Sequence, residues 1–309
     1  MLNLLLIILI SSNVLAARAT FIKQGRSYQF VSPAKNKEKR PLLVLLHGCK
    51  QNADIIIEGT RLEQEALKKN FYILAPEQSQ INNLDHCWNW FFSQMQTRHG
   101  LNEMSEIIST IDDLVAFYQI DRSKIFVAGL SAGAALAENL IACYPDYFSA
   151  AAIHSGLAFK VAEDAYEAQR VITSRHQKSP EYLARKAHHC AKNVQDRQLK
   201  KVLVIHGLDD KRVPSFHSEL IADSHEMMVD LLDDGVINHS DSPIVSERIE
   251  QFPNGFKAHI TDKKYKSFSE RYIFIKGLQH AWGGGKAISR NFDPEAPSSN
   301  SFILNFFNL

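Results

Sequence analysis

The stretch that decides the fold runs Ile125-Phe126-Val127-Ala128-Gly129-Leu130-Ser131-Ala132-Gly133. Its second half fits the pattern G-x-S-x-G. An apolar run ending at Ala128 reads as a buried strand, and the small-residue run 134–143 reads as a helix. Strand, sharp turn and helix are the context this pattern requires. A serine at such a turn sits in a strained backbone conformation. Glycines two before and two after it let the flanking strand and helix approach without a Cβ clash. The Ser131 hydroxyl then projects above the sheet, and the helix N-terminus behind it favours developing negative charge.

Working outward, the chain alternates strand-like and helix-like segments, which predicts an α/β domain with a mainly parallel sheet. Residues 27–31 read as an opening edge strand. Residues 42–46 form a continuous apolar run, as a strand buried on both faces should. A helix is expected over 59–69 and a strand over 72–75, stopped by Pro76. Met104, Ile107, Ile108, Ile111, Leu114, Val115 and Tyr118 recur in steps of three and four, one face of an amphipathic helix. Further strands are expected at 150–153, 201–205 and 272–275, and a closing helix at 298–307. Residues 161–196 are polar and break this rhythm. They read either as a helical insertion capping the sheet's carboxyl edge or as a helical crossover with extra surface. The expected architecture is an α/β-hydrolase fold: a mainly parallel central sheet flanked by helices, with 17–309 as one catalytic domain.

A serine nucleophile needs a base, and the base needs an orienting acid. On this fold the acid follows the serine in the chain and the histidine comes last. After strand 201–205 comes His206-Gly207-Leu208-Asp209-Asp210, and after strand 272–275 comes Gly277-Leu278-Gln279-His280-Ala281-Trp282. Of the chain's 13 histidines, His280 alone follows the final strand with glycines and an aromatic residue around it. Two backbone N–H donors should receive the oxyanion. Ala132, next to the nucleophile, is one. Cys49, in the His47-Gly48-Cys49 turn after strand 42–46, is the other.

Composition bounds the rest. The 309 residues carry a formal net charge of +1, which points away from nucleic acid and charged membrane surfaces. No metal-binding cysteine spacing is present, and the chemistry needs no metal or organic cofactor. Residues 1–16 are apolar and uncharged, too short to span a bilayer, and end in small residues, as a secretory signal cleaved near Ala16 would. No later stretch is apolar enough for stable membrane insertion, so a secreted or periplasmic protein is expected. The four cysteines, Cys49, Cys87, Cys143 and Cys190, then suggest disulfides, with three pairings open.

Taken together, these residues resemble the polyhydroxybutyrate depolymerase family of extracellular esterases, related to feruloyl and acetylxylan esterases. The resemblance rests on His47-Gly48-Cys49-Lys50-Gln51, Pro76-Glu77-Gln78-Ser79, Cys87-Trp88-Asn89-Trp90-Phe91, the Ser131 segment and His154-Ser155-Gly156. It implies carboxylic ester hydrolysis through Ser131, His280 and an aspartate. The family's acid segment places that aspartate on Asp210, three before Val213, with neighbouring Asp209 as the alternative. The sequence departs from the family at Leu208 and at Gln279. The resemblance also implies a Cys49–Cys87 disulfide, leaving Cys143 and Cys190 as the other pair. Trp88, Trp90 and Trp282 are candidates for an apolar wall along the substrate groove, with core packing as their alternative. The chain ends soon after the closing helix and leaves no room for a polymer-binding domain. Soluble hydroxyalkanoate oligomers or small esters are therefore the expected substrates, with feruloyl or acetyl esters of plant polysaccharide as the alternative. A secreted binding protein that kept the fold and lost the chemistry is the reading of another class.

Overall fold

The computed structural model describes residues 17–34, 38–174, 178–195 and 197–309. The expected leader, 1–16, lies outside the described residues.

Ten strands form one sheet. In chain order they are β1 (Ala17–Lys23), β2 (Arg26–Ser32), β3 (Arg40–Leu46), β4 (Tyr72–Pro76), β5 (Ile120–Leu130), β6 (Ala150–His154), β7 (Lys201–Gly207), β8 (Ile244–Gln251), β9 (Lys257–Lys264) and β10 (Ser269–Lys276). Across the sheet the order is β1-β2-β4-β3-β5-β6-β7-β10-β9-β8. The six strands from β4 to β10 in that order run parallel. Antiparallel pairs extend both flanks. Residues 27–31 do form a strand, but it is not the edge: β1 covers it, pairing Ala17 with Ser32 through Lys23 with Arg26. On the far flank β8 and β9 were not anticipated. Their sequences, IVSERIEQ and KAHITDKK, are charge-rich and β8 is almost wholly exposed, so neither shows the apolar run of a buried strand.

Helices cover both faces. They are α1 (Ala53–Thr60), α2 (Leu62–Lys69), α3 (Glu103–Phe117), α4 (Ala132–Cys143), α5 (Ala165–Thr173), α6 (Pro180–Cys190), α7 (Phe216–Asp234) and α8 (Ser299–Phe307). Strand alternation sorts the core into two layers. Leu42, Val44 and Leu46 of β3 face the layer that includes Met104, Ile107, Leu136 and Ile221. Leu43 and Leu45 face the layer of Ile56, Leu62, Ile303 and Phe307. Every residue of α4 is buried. Its alanines and glycine let it press against the sheet, so the strand before it and the helix after it hold their shared turn firmly.

The helix expected over 59–69 is two helices. Thr60 turns its hydroxyl back onto the Ile56 carbonyl at 2.7 Å, and Arg61 adopts a left-handed φ of 59°. A hydroxyl bonded to the preceding turn and a left-handed residue end a helix. In the polar segment 161–196, α6 packs against α4 and α7, and its last residue, Cys190, is disulfide-bonded to Cys143 at the end of α4. The parallel strand order, the helices on both faces and the strand–turn–helix at Ser131 together are the α/β-hydrolase fold.

Candidate active site

Four loops leave the carboxyl ends of β3, β5, β7 and β10 and meet at one edge of the sheet, where open α/β sheets bind their ligands. The β5 loop carries Ser131. Its φ of 58° and ψ of −121° are sparsely populated for a side-chain-bearing residue. Hydrogen bonds hold it there: Ser131 N donates to the His154 carbonyl at 2.9 Å, and Ala135 N donates to the Ser131 carbonyl at 3.0 Å. The motif glycines are required by contact. A Cβ on Gly129 would stand 2.3 Å from Gly133, and one on Gly133 would stand 2.3 Å from the Leu46 carbonyl oxygen. That second approach seats the β3 loop beside Ser131, with the Cβ position of Gly48 3.4 Å from Ser131 Cβ.

The β3 loop is braced from outside. Trp88 Nε1 donates to the His47 carbonyl at 2.9 Å, and Gln78 N donates to His47 Nε2 at 3.0 Å. Burial pushes the His47 ring down to about 4, so it stays a neutral acceptor. Gly48 N donates to Gln51 Oε1 at 2.8 Å, and Lys50 N donates to Asp85 O at 2.7 Å. A disulfide joins Cys49 to Cys87. Beneath it, Glu103 accepts from Asn89 N at 3.0 Å and from the side chains of Gln78 and Asn89. Burial raises the pKa of Glu103, against the opposing pull of Arg26. The motif residues around Gln78, Cys87 and Asn89 are thus the scaffold of the turn that carries Cys49.

The other two loops meet across Gly207, where a Cβ would stand 2.2 Å from the Leu278 carbonyl. This close approach puts His280 Nδ1 2.6 Å from Asp210 Oδ2. Asp210 Oδ1 accepts from the amides of Arg212 and Val213, each at 2.9 Å. His206 adds a 3.4 Å contact from Nε2 to Asp210 Oδ2. Burial alone would raise the Asp210 pKa, but hydrogen bonds from His206 and His280 outweigh it and hold the carboxyl well below the usual range. Asp209 points elsewhere: it is exposed, and its Oδ2 accepts from Gly277 N at 2.9 Å. Because His280 Nδ1 must carry its proton to bond a carboxylate, Nε2 is the basic nitrogen of the neutral ring. Nε2 is buried and has no hydrogen-bond partner among the described residues.

Expectation fails for the tryptophans. Trp88 and Trp282 are fully buried and Trp90 is 3% exposed, so none forms the wall of an open groove. Trp88 braces His47. Trp90 offers its carbonyl to Asn139 Nδ2 at 2.8 Å. Trp282 stacks on His154 at 5.2 Å and donates from Nε1 to Asn300 Oδ1 at 2.9 Å. Their large apolar area is worth more inside the core than on a wet surface. The open cleft beside His280, about 710 Å³, is lined instead by polar side chains, among them Arg212, Gln279 and Arg290. Among the described residues no cluster of side chains suits a metal ion, and no helix is long and apolar enough to cross a membrane.

Fold and site together define an α/β-hydrolase whose Ser131 turn, Asp210 loop and His280 loop follow strands β5, β7 and β10. Residues 26–236, more than half of the chain, match the family described as esterase PHB depolymerase, and the chain belongs to that family. It is 37% identical over 130 residues to poly(3-hydroxyalkanoate) depolymerase C of Paucimonas lemoignei, covering 42% of this chain and 31% of that one. It is 31% identical over 133 residues to feruloyl esterase B of Neurospora crassa, covering 43% of this chain and 44% of that one. The matched part thus spans less than half the length of either relative. Among solved structures, the acetyl xylan esterase from Aspergillus awamori superposes with a TM-score of 0.74 over 94% of this chain and 99% of that one, at 15% identity. That likeness is one of fold.

Proposed function

We propose that the protein is a secreted serine carboxylic ester hydrolase acting through Ser131, His280 and Asp210. The observation that carries this reading is the His280–Asp210 pair, 2.6 Å apart, with Nε2 left open at the sheet edge that also carries the Ser131 turn. Ser131 Oγ attacks the ester carbonyl as its proton passes to His280 Nε2. Asp210, held as a carboxylate, stabilises the imidazolium. The Ala132 amide, at the first position of α4 and so without an intrahelical acceptor, and the Cys49 amide receive the oxyanion. The tetrahedral intermediate collapses with cleavage of the ester C–O bond, and His280 Nε2 returns the proton to the departing alcohol. Water then attacks the acyl-enzyme by the same route and releases the acid and free Ser131.

Hydroxyalkanoate esters are the favoured substrates, supported by the family and by the depolymerase relative. Feruloyl and acetyl esters of plant polysaccharide are the alternative, supported by the feruloyl esterase relative. Two disulfides among four cysteines suit an oxidising compartment and an exported chain, and residues 17–309 serve as a single catalytic domain. Purified protein assayed with p-nitrophenyl butyrate, hydroxybutyrate oligomers and methyl ferulate tests the proposal. Turnover is expected, together with labelling of Ser131 by a fluorophosphonate. A chain that neither turns over any ester nor takes the label is a binding protein on a hydrolase fold, and the proposal is then wrong.

A further inference from the structure

The cleft beside His280 holds three cations and one anion. Lys211, Arg212 and Arg290 line it together with Asp209, Gln279 and His280. None of the three cations is paired with a carboxylate among the described residues. Several arginines elsewhere are paired with carboxylates: Arg26 with Glu106, Arg98 with Asp146 and Arg271 with Asp262. The nearest acid, Asp210, is taken up by His280, His206 and two amides. Asp209 spends one oxygen on Gly277 N. Burial and then the neighbouring Arg290 guanidinium pull Arg212 below its ordinary pKa, against the opposing pull of Asp210, so the two guanidinium groups sit close enough to repel one another. Like charges held together beside a reacting group are relieved when an anion binds, and a planar guanidinium is shaped to take a carboxylate through two hydrogen bonds.

Position decides which part of a substrate that carboxylate belongs to. His280 borders this cleft and, on the reading above, hands its proton to the leaving alcohol, so on that reading the leaving group lies on this side of the histidine. When the last ester bond of a 3-hydroxyacid oligomer is cleaved, the leaving alcohol is the hydroxyl of a terminal unit that bears a free carboxylate. Two carbons and the carboxyl carbon separate the two groups, a span of about 4 Å. That span suits one leaving unit lying between His280 and the cations that share its cleft. We infer that Arg212 and Arg290, assisted by Lys211, bind the terminal carboxylate of hydroxyacid oligomers. The enzyme then removes one hydroxyacid at a time from the carboxyl end. This rests on the ester hydrolase reading above and adds the substrate class and the direction of attack. In each cycle water adds across the terminal ester: the upstream acyl group gains the hydroxyl, and the released hydroxyacid gains the proton.

The test compares the 3-hydroxybutyrate dimer as free acid with its methyl ester, in wild type and in Arg212→Gln, Arg290→Gln and the double variant. The ratio of kcat/KM for free acid to methyl ester is read in each protein, so any loss common to both substrates cancels. Thermal melting confirms that the variants fold. The ratio should favour the free acid in the wild type, fall about tenfold in each single variant and further in the double. Added salt should erode it. Free 3-hydroxybutyrate should inhibit p-nitrophenyl butyrate hydrolysis in the wild type and more weakly in the double variant. Equal rates for acid and methyl ester in the wild type, or a ratio that the double variant leaves untouched, overturns the inference while ester turnover itself leaves the broader reading standing. If p-nitrophenyl butyrate is not hydrolysed and Ser131 takes no label, both fail together.

Discussion

Two buried histidines in this molecule each meet carboxylates, and they do opposite things. His280 bonds Asp210 through Nδ1 alone and leaves Nε2 without a partner. His225, on α7, is bonded at both nitrogens: Nδ1 to Glu270 at 2.8 Å and Nε2 to Glu138 at 3.1 Å. Glu270 also accepts from the Tyr272 hydroxyl. Burial by itself would lower the His225 pKa, but the two glutamates more than reverse it and raise it to about 10. His225 is therefore a buried cation clamped between α4 and β10, with no nitrogen left for proton transfer. A histidine next to a carboxylate is not by that fact a general base. A general base needs an unspent nitrogen, and of these two histidines only His280 has one. His47 and His154 mark a third condition, buried and neutral, with pKa values pushed down by burial to about 4 and about 3.

This contrast can be broken by experiment. The largest effect is expected from His280→Ala, which should lower kcat/KM for p-nitrophenyl butyrate by on the order of 10⁵ while leaving the melting temperature nearly unmoved. A comparable activity loss from His225→Ala in folded protein would erase the distinction. Asp210→Asn should follow, costing about 10⁴ in kcat because the amide no longer selects the tautomer with Nε2 free. His225→Gln should act on stability instead. It strands two buried carboxylates and should cost about 3–5 kcal/mol in denaturant unfolding, with kcat per folded molecule retained.

The pH dependence of stability separates the pair further. A histidine whose folded pKa lies above its unfolded value stabilises fully below the unfolded value and loses that contribution as pH climbs through the folded one. For His225 the window runs from 6.5 to about 10. Wild-type melting temperature should therefore decline across that range, and the decline should flatten in His225→Gln. An equal slope in both proteins would mean that another group titrates there. The smallest effect belongs to Asp209→Asn, which should change kcat/KM by less than about twofold, because Asp209 bonds only a loop amide. A loss as large as that of Asp210→Asn would move the acid one residue along the chain.

The elements that sequence reading recovered are those whose signal is local. Ser131 stands out because its turn needs small residues at fixed offsets, and Gly129 and Gly133 meet at 2.3 Å in the structure. The loops of Asp210 and His280 were legible as turns after two strands, the family resemblance favoured Asp210 over Asp209, and the structure pairs Asp210 with His280. The amphipathic run 104–118 becomes α3 almost unchanged, capped by Asn102. What escaped is what depends on distant partners. Strands β8 and β9 lie on an exposed flank and carry no apolar pattern. The break at Arg61 comes from a threonine bonding backwards within an otherwise good helical run. The tryptophans were ambiguous because an aromatic residue near a motif reads the same whether it lines a groove or braces a turn.

Consecutive residues were enough to fix the strand–turn–helix at Ser131 and the family, because local sterics and motif spacing are written in them. Tertiary structure alone decided which histidine nitrogen is free, that Trp88 holds the His47 carbonyl, and that Glu138, His225 and Glu270 share a charge. It alone also set Arg212 and Arg290 around one cleft. Those contacts join residues tens of positions apart, and only the folded sheet sets their distances.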